Sequence, residues 1–334
     1  MTLEASPSLR ELHDVLLLDL DGTVYQGAHA IPGAREALVG GSARLFYVTN
    51  NASRSPLSVA QHLRELGFPA DEAEVVTSSQ SAARLLAEAL EPGSAVLVIG
   101  TEALAEEVRL VGLKPVRRFD ENPAAVVQGH STETGWAILA EATLAIRAGA
   151  LWVASNVDTT LPTERGLCPG NGAMVAAVRA ATGREPLVAG KPARPLMDDA
   201  LLRSGSERPL VVGDRIDTDI AGANSVGVDS LLVLSGVSTV ADLLRAPEPL
   251  RPTYLASRLA ELDRPAARLR MREHPAVSIR REGTDLVVRC DQAAEPERLD
   301  VVRAVLAAAW AEPEFDGLRA ADPVAAVAVA DLVG

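Results

Sequence analysis

Val15-Leu16-Leu17-Leu18-Asp19-Leu20-Asp21-Gly22-Thr23 constrains this chain more than any other stretch. The apolar run is long enough, and branched enough, to read as a strand buried on both faces. It stops at two carboxylates spaced i, i+2, followed by Gly and Thr. Neither carboxylate suits a strand core. Both suit the carboxyl end of a parallel strand, the edge where open α/β sheets gather their ligands. An ordinary strand ending in an Asp-Gly turn has the same local signature. The remainder of the chain separates the two.

Strand and helix signals alternate from there. A helix is introduced by Ile31-Pro32-Gly33 and runs through about Leu38. A strand, Arg44 to Val48, leads into Thr49-Asn50-Asn51, and Ser55-Pro56 opens a helix to Leu66 with proline in its first turn. The alternation continues from Ser79 to Gly183, leaving polar loops at Gly129–Gly135 and Asn156–Gly172. Pro186 to Pro192 reads as a short strand and loop. The buried strand Pro209–Val212 then delivers Gly213-Asp214-Arg215-Ile216-Asp217-Thr218-Asp219, much as the first strand delivers Asp19. Such alternation predicts parallel strands joined by right-handed crossovers. Beyond Leu244 the sequence turns linker-like. An Arg-rich helix from about Ser257, a hairpin of Val277–Arg281 with Asp285–Cys290 and an amphipathic helix over Glu297–Ala311 follow. The expected architecture is α/β: a Rossmann-like parallel-sheet core (1–80 and 184–256) with an inserted α/β cap domain (81–183), plus a small C-terminal α+β domain (257–334).

Composition narrows the partners. A net charge of −13 argues against nucleic acid and anionic membrane. No apolar run approaches the ~20 residues of a membrane span, and the first residues lack a basic signal region. Two cysteines, Cys168 and Cys290, have no metal-ligand spacing, so a reducing cytoplasm is the default. Of 32 basic residues only Lys114 and Lys191 are lysine. Arginine is a planar fork and lysine a compact point charge, so a retained lysine asks for a reason. Lys191, in Gly190-Lys191-Pro192, has one.

The chemistry those strand ends suit is phosphoryl transfer. Asp19 can attack phosphorus in line and carry an aspartyl-phosphate. Asp21 can protonate the leaving oxygen and then deprotonate the attacking water. Two like charges ~4 Å apart repel by about 4 kcal/mol at an effective dielectric of 20. A hard divalent cation relieves that, and Asp19, the Asp21 carbonyl and Asp214 form an all-oxygen set suited to Mg²⁺. Lys191 adds positive charge to the phosphate and to Asp19. Thr49 offers a hydroxyl, and Asn50 and Asn51 with their backbone amides offer further donors. Asp219 is expected behind the ligands, orienting them or their waters or fixing Lys191. Asp217 reads as a solvated or helix-capping carboxylate.

Asp19-Leu20-Asp21-Gly22-Thr23, Thr49-Asn50, Gly190-Lys191-Pro192 and Gly213-Asp214 with Thr218-Asp219 together resemble the haloacid dehalogenase superfamily. The insertion between the second and third motifs is similar to its class IIA cap, the branch of p-nitrophenylphosphatases, phosphoglycolate phosphatases and pyridoxal phosphatases. Pro169-Gly170-Asn171-Gly172-Ala173 fits that branch, with Asn171 where Thr is frequent. The resemblance covers about residues 10–256. It implies a Mg²⁺-dependent phosphatase acting on a small phosphorylated metabolite. The superfamily's dehalogenases lack the second aspartate, so Asp21 argues against that activity. The architecture, with its appended C-terminal segment, is similar to that of bacterial glycerol 3-phosphate phosphatases. Glycerol 3-phosphate is therefore the expected substrate, with 2-phosphoglycolate, pyridoxal phosphate or phosphotransfer to another acceptor as alternatives. The resemblance also implies that the Asn156–Gly172 loop selects the leaving group through Asp158, Pro162, Glu164 and Arg165. The C-terminal segment resembles a fragment of an acetyltransferase fold without its pyrophosphate loop, which points to a stabilising, regulatory or homodimer-forming module rather than to acetyl transfer.

Overall fold

A computed structural model describes residues 6–163, 165–291 and 293–333. Two compact units emerge, one drawn from Met1–Gln26, Ala30–Arg44 and Ser206–Gly334, the other from Gly27–His29 and Leu45–Gly205.

In the first unit, four parallel strands lie in the order Tyr254–Ala256, Asp229–Val233, Pro209–Gly213, Val15–Leu18. Every side chain of Val15–Leu18 is fully buried, as a two-sided apolar strand requires. Its register pairs Leu18 with Val212, and the Asp19 amide still donates to the Val212 carbonyl at 2.8 Å. The two neighbouring strands thus end within one residue of each other, and each is followed at once by a carboxylate.

The C-terminal residues of this unit form the expected hairpin, Val277–Glu282 against Asp285–Cys290, with Leu318–Ala320 added in parallel. Helices Arg298–Ala311 and Pro323–Val333 cover it. They have no separate core. Val301, Val305, Leu306, Ala325 and Leu332 share one apolar cluster with Ile220, Leu232, Leu243 and Leu255. The Arg-rich helix expected from Ser257 is not formed. A single tight turn, Leu259–Asp263, and a four-residue helix, Ala266–Leu269, stand there instead. Pro265 separates them, because proline brings no N–H and turns the residue before it away from helical geometry.

The second unit holds the parallel pair Arg44–Thr49 and Val75–Thr77. It also holds a five-stranded parallel sheet in the order Leu187–Val188, Leu151–Ala154, Ala125–Gln128, Ala95–Ile99, Lys114–Val116. One face packs on Ala82, Leu86, Leu104 and Val108, the other on Ala142, Ile146, Val175 and Val178. Lys114 is exposed on an edge strand, where its charge discourages further pairing. The segment expected as an open loop after Asn156 contains a hairpin, Thr160–Thr163 against Gly166–Pro169. Its strands are short and solvated and carry no apolar alternation, so nothing in the sequence announced them.

Candidate active site

In the first unit the carboxylates gather at the strand ends. Asp19, Asp214 and Asp219 each present an oxygen within 4.8 Å of the others, and Asp214 and Asp219 are fully buried. Asp214 is held by a fitted cradle. Its Oδ2 accepts from the Val237 amide at 2.7 Å, its Oδ1 from the Thr23 hydroxyl at 3.3 Å, and its carbonyl from the Ser238 amide at 3.0 Å. Two glycines make that approach feasible. A Cβ at Gly236 would lie 2.0 Å from Asp214 Oδ2, and one at Gly22, where φ is +92°, 2.6 Å from it.

Asp219 sits in the Ile216–Ile220 turn, its Oδ2 accepting from the Arg215 amide at 3.1 Å. The same contact makes Gly213 obligatory, since a Cβ there would lie 2.3 Å from the Asp219 carboxylate. Asp217 does not join the group. It is exposed; partial desolvation works against its charge, but Arg215 grips it bidentately at 3.0 and 2.7 Å and holds its carboxyl below the usual range. Asp21 is exposed at the turn, where Leu20 O collects the amides of Thr23, Val24 and Tyr25. Three oxygen donors, two of them without solvent, form a set that suits a hard divalent cation, and leaving them uncompensated would be costly.

The second unit gathers the phosphate-binding candidates. Thr49 ends its strand buried, and its hydroxyl accepts from the Asn51 amide at 3.1 Å. Asn51 Oδ1 in turn accepts from the amide and hydroxyl of Ser53. Lys191 is 2% exposed, and its ammonium donates to Val48 O at 3.0 Å. Asn50 joins the Lys191 backbone to Asp158. Pro162 and Arg165 are exposed on the hairpin; Glu164 lies outside the described residues.

Comparisons with known proteins give the family. A family model described as haloacid dehalogenase-like hydrolase matches residues 16–114, and a second of the same kind matches residues 188–262. A D-glycerol 3-phosphate phosphatase of Mycobacterium tuberculosis is 53% identical over 308 residues, covering 91% of this chain and 87% of that protein. This chain belongs to the haloacid dehalogenase-like hydrolase family. An acid sugar phosphatase of Staphylococcus aureus is 39% identical over 74% of this chain and 97% of its own length. Among solved structures, a glycerol phosphate phosphatase of M. tuberculosis in complex with magnesium superposes with TM-score 0.94 at 52% identity, covering 97% of this chain and 98% of that one.

In this haloacid dehalogenase-like hydrolase, Asp19 and Asp214 directly follow their strands, Thr49 ends its own, and Lys191 lies three residues beyond Leu187–Val188. Other partners belong to no recognisable motif. Ser235, Gly236, Val237 and Ser238 build the loop around Asp214 and Gly22: Ser235 donates to Gly22 O at 2.8 Å, and Ser238 Oγ accepts from the Ile216 amide at 3.0 Å. Their only signal was a run of small residues directly after a buried strand. Asn156 is another, donating to Asn50 O at 2.7 Å. Asn171 is buried and donates to the carbonyls of Asn156 and Gln128 at 2.7 and 3.3 Å.

Proposed function

We propose that this chain is a Mg²⁺-dependent phosphatase hydrolysing a small phosphomonoester, with glycerol 3-phosphate its preferred substrate. The carrying observation is Asp19 and Asp214 at adjacent parallel strand ends, with Asp219 gathered beside them, in a member of this family. Asp19 attacks phosphorus in line, the ester oxygen leaves with a proton from Asp21, and an aspartyl-phosphate forms. Asp21 then takes a proton from the water that attacks this phosphorus, releasing inorganic phosphate and restoring Asp19. Thr49, the Asn50-Asn51 segment and Lys191 serve the phosphate oxygens as donors and positive charge. Asp19, the Asp21 carbonyl and Asp214 hold the cation, with Asp219 orienting them. The cation, when bound, offsets the joint charge of carboxylates and phosphate.

Residues 81–183 act as the substrate-selecting cap, in which Pro162, Glu164 and Arg165 are the specificity candidates, and residues 257–334 as an appended module that can pair two copies. The acidic net charge of −13 supports a metabolite rather than a polyanion as partner. Among the described residues no helix is long and apolar enough to cross a membrane, and both cysteines are free thiols; a cytoplasmic setting accords with the latter.

Phosphate release from glycerol 3-phosphate, 2-phosphoglycolate, pyridoxal 5′-phosphate and p-nitrophenyl phosphate, with and without Mg²⁺, tests the proposal. Glycerol 3-phosphate should give the highest kcat/KM. Asp19→Asn should abolish release, and Asp21→Asn should lose ~10²-fold or more in kcat while metal binding persists. Full activity of Asp19→Asn would sink the nucleophile assignment.

A further inference from the structure

Asn50 spends its whole side chain on the protein. Its Oδ1 accepts from the Lys191 amide at 2.8 Å, while its Nδ2 donates to the Lys191 carbonyl at 3.0 Å. This is a two-point grip on one residue's backbone, like one rung of a sheet. The same Nδ2 reaches both oxygens of Asp158, at 3.2 and 3.3 Å. An amide nitrogen has two protons, and here both have acceptors. The fit is close: a Cβ at Gly190 would lie 2.6 Å from Asn50 Oδ1.

Asp158 reinforces the orientation that the Lys191 backbone sets for this amide. Turned over, Asn50 would set its oxygen against the Asp158 carboxylate and the Lys191 carbonyl, three acceptors with no proton among them. Asp158 is itself pinned, its amide donating to Asn156 Oδ1 at 3.2 Å and its carbonyl accepting from Gly172 at 2.8 Å. Asn156 donates in turn to the Asn50 carbonyl, which also accepts from the Ser78 hydroxyl at 2.6 Å.

We propose that Asn50 is a positioning residue whose amide clamps the Lys191 backbone, and that Asp158 serves the reaction by orienting that amide rather than by touching substrate. The segment that opens the Thr160–Pro169 hairpin and the segment that carries the buried lysine are thereby held as one piece. This rests on the phosphatase proposal above, in which Lys191 neutralises the phosphate; the Asn50 side chain has no proton left for it, whereas its backbone amide is not committed by the clamp.

The test is a double-mutant cycle on the full chain. Asn50→Ala should lower kcat by ~10-fold or more with a smaller change in KM, since a misplaced charge costs most where charge develops. Asp158→Ala should lower kcat in the same manner, by the same factor for glycerol 3-phosphate as for p-nitrophenyl phosphate. The double variant should be no worse than Asn50→Ala alone, because both act through one contact. Asp158→Asn, which keeps an acceptor oxygen, should retain most of the activity. Independent losses that multiply, or a loss on Asp158→Ala confined to one substrate, would overturn the proposal and make Asp158 a substrate-reading group. Thermal midpoints of the same four proteins give a cycle that needs no turnover. Absence of phosphate release from wild type would therefore count against the phosphatase proposal, while additive losses of midpoint would count against the clamp.

Discussion

Arg303, on the Arg298–Ala311 helix, donates from Nε at 3.1 Å and from Nη2 at 2.7 Å to the carbonyl of Leu255 in the strand Tyr254–Ala256. The guanidinium is 2% exposed, flanked by Asp300 at 3.0 Å and Glu261 at 3.4 Å. The Arg298–Ala311 helix thus ties down the outer strand of the parallel row, with Asp300 and Glu261 compensating the charge it brings. Desolvation draws the Arg303 guanidinium down from its usual range, and Glu261 and Asp300 oppose that pull.

Arg303→Ala should be among the most damaging substitutions remote from the catalytic residues. It leaves Glu261, 6% exposed, without its buried counter-charge and the Leu255 carbonyl without these donors. Removing one partner of a buried ion pair costs about 3–5 kcal/mol. A fall of several degrees in thermal midpoint is expected, and a change within one degree would contradict it. Truncation before Ser257 should be worse still, exposing Ile220, Leu232, Leu243 and Leu255 together.

Gly236→Ala tests the cradle of Asp214. The new Cβ would fall 2.0 Å from Asp214 Oδ2, so the carboxylate must move or the loop must open. Either outcome spoils the oxygen set. Phosphate release should drop ~10-fold or more, with a rise in the Mg²⁺ concentration giving half-maximal activity. Titrating Mg²⁺ against wild type and variant checks both effects, and a normal metal requirement would show that the cradle does not set the site.

Glu107 gives a pH-dependent stability term. It is 7% exposed on the helix Glu102–Leu110; burial raises its carboxyl to about 6, with Glu72 adding to the rise, Arg203 opposing it and Glu106 contributing slightly. A carboxyl raised above its unfolded value of 4.5 supports folding fully only below that value, and the support is lost as pH rises through about 6. At neutral pH the ionised group therefore costs on the order of 1–2 kcal/mol. Glu107→Gln should raise the thermal midpoint at pH 7.5 and much less at pH 5. An equal gain at both would show that the carboxyl does not titrate in this window.

How far the sequence carried depends on the range of the interaction. Val15–Leu18 and Pro209–Val212 announce themselves because each is an apolar run that stops at a carboxylate, a pattern contained within nine residues or fewer. Lys191 stood out because arginine replaces lysine almost everywhere else. The strands Val75–Thr77 and Lys114–Val116 were not legible, being three residues each, too short to show a period. In the Arg-rich stretch after Ser257 the composition suggests a helix, whereas Pro265 divides it into a tight turn and a four-residue helix.

By itself, then, the sequence determined the α/β alternation and which residues stand at the strand ends, because strand formation, turning and helix starts are settled by neighbours along the chain. The tertiary structure alone decided what holds those residues. Asn50 meets Asp158 and Lys191 at separations of 108 and 141 residues, and Arg303 meets Leu255 at 48. Such partners are polar groups removed from water together, and their pairing follows from which backbone and side-chain groups the packed core brings within hydrogen-bond distance of one another. No local pattern encodes that, because each member alone looks like an ordinary solvated residue.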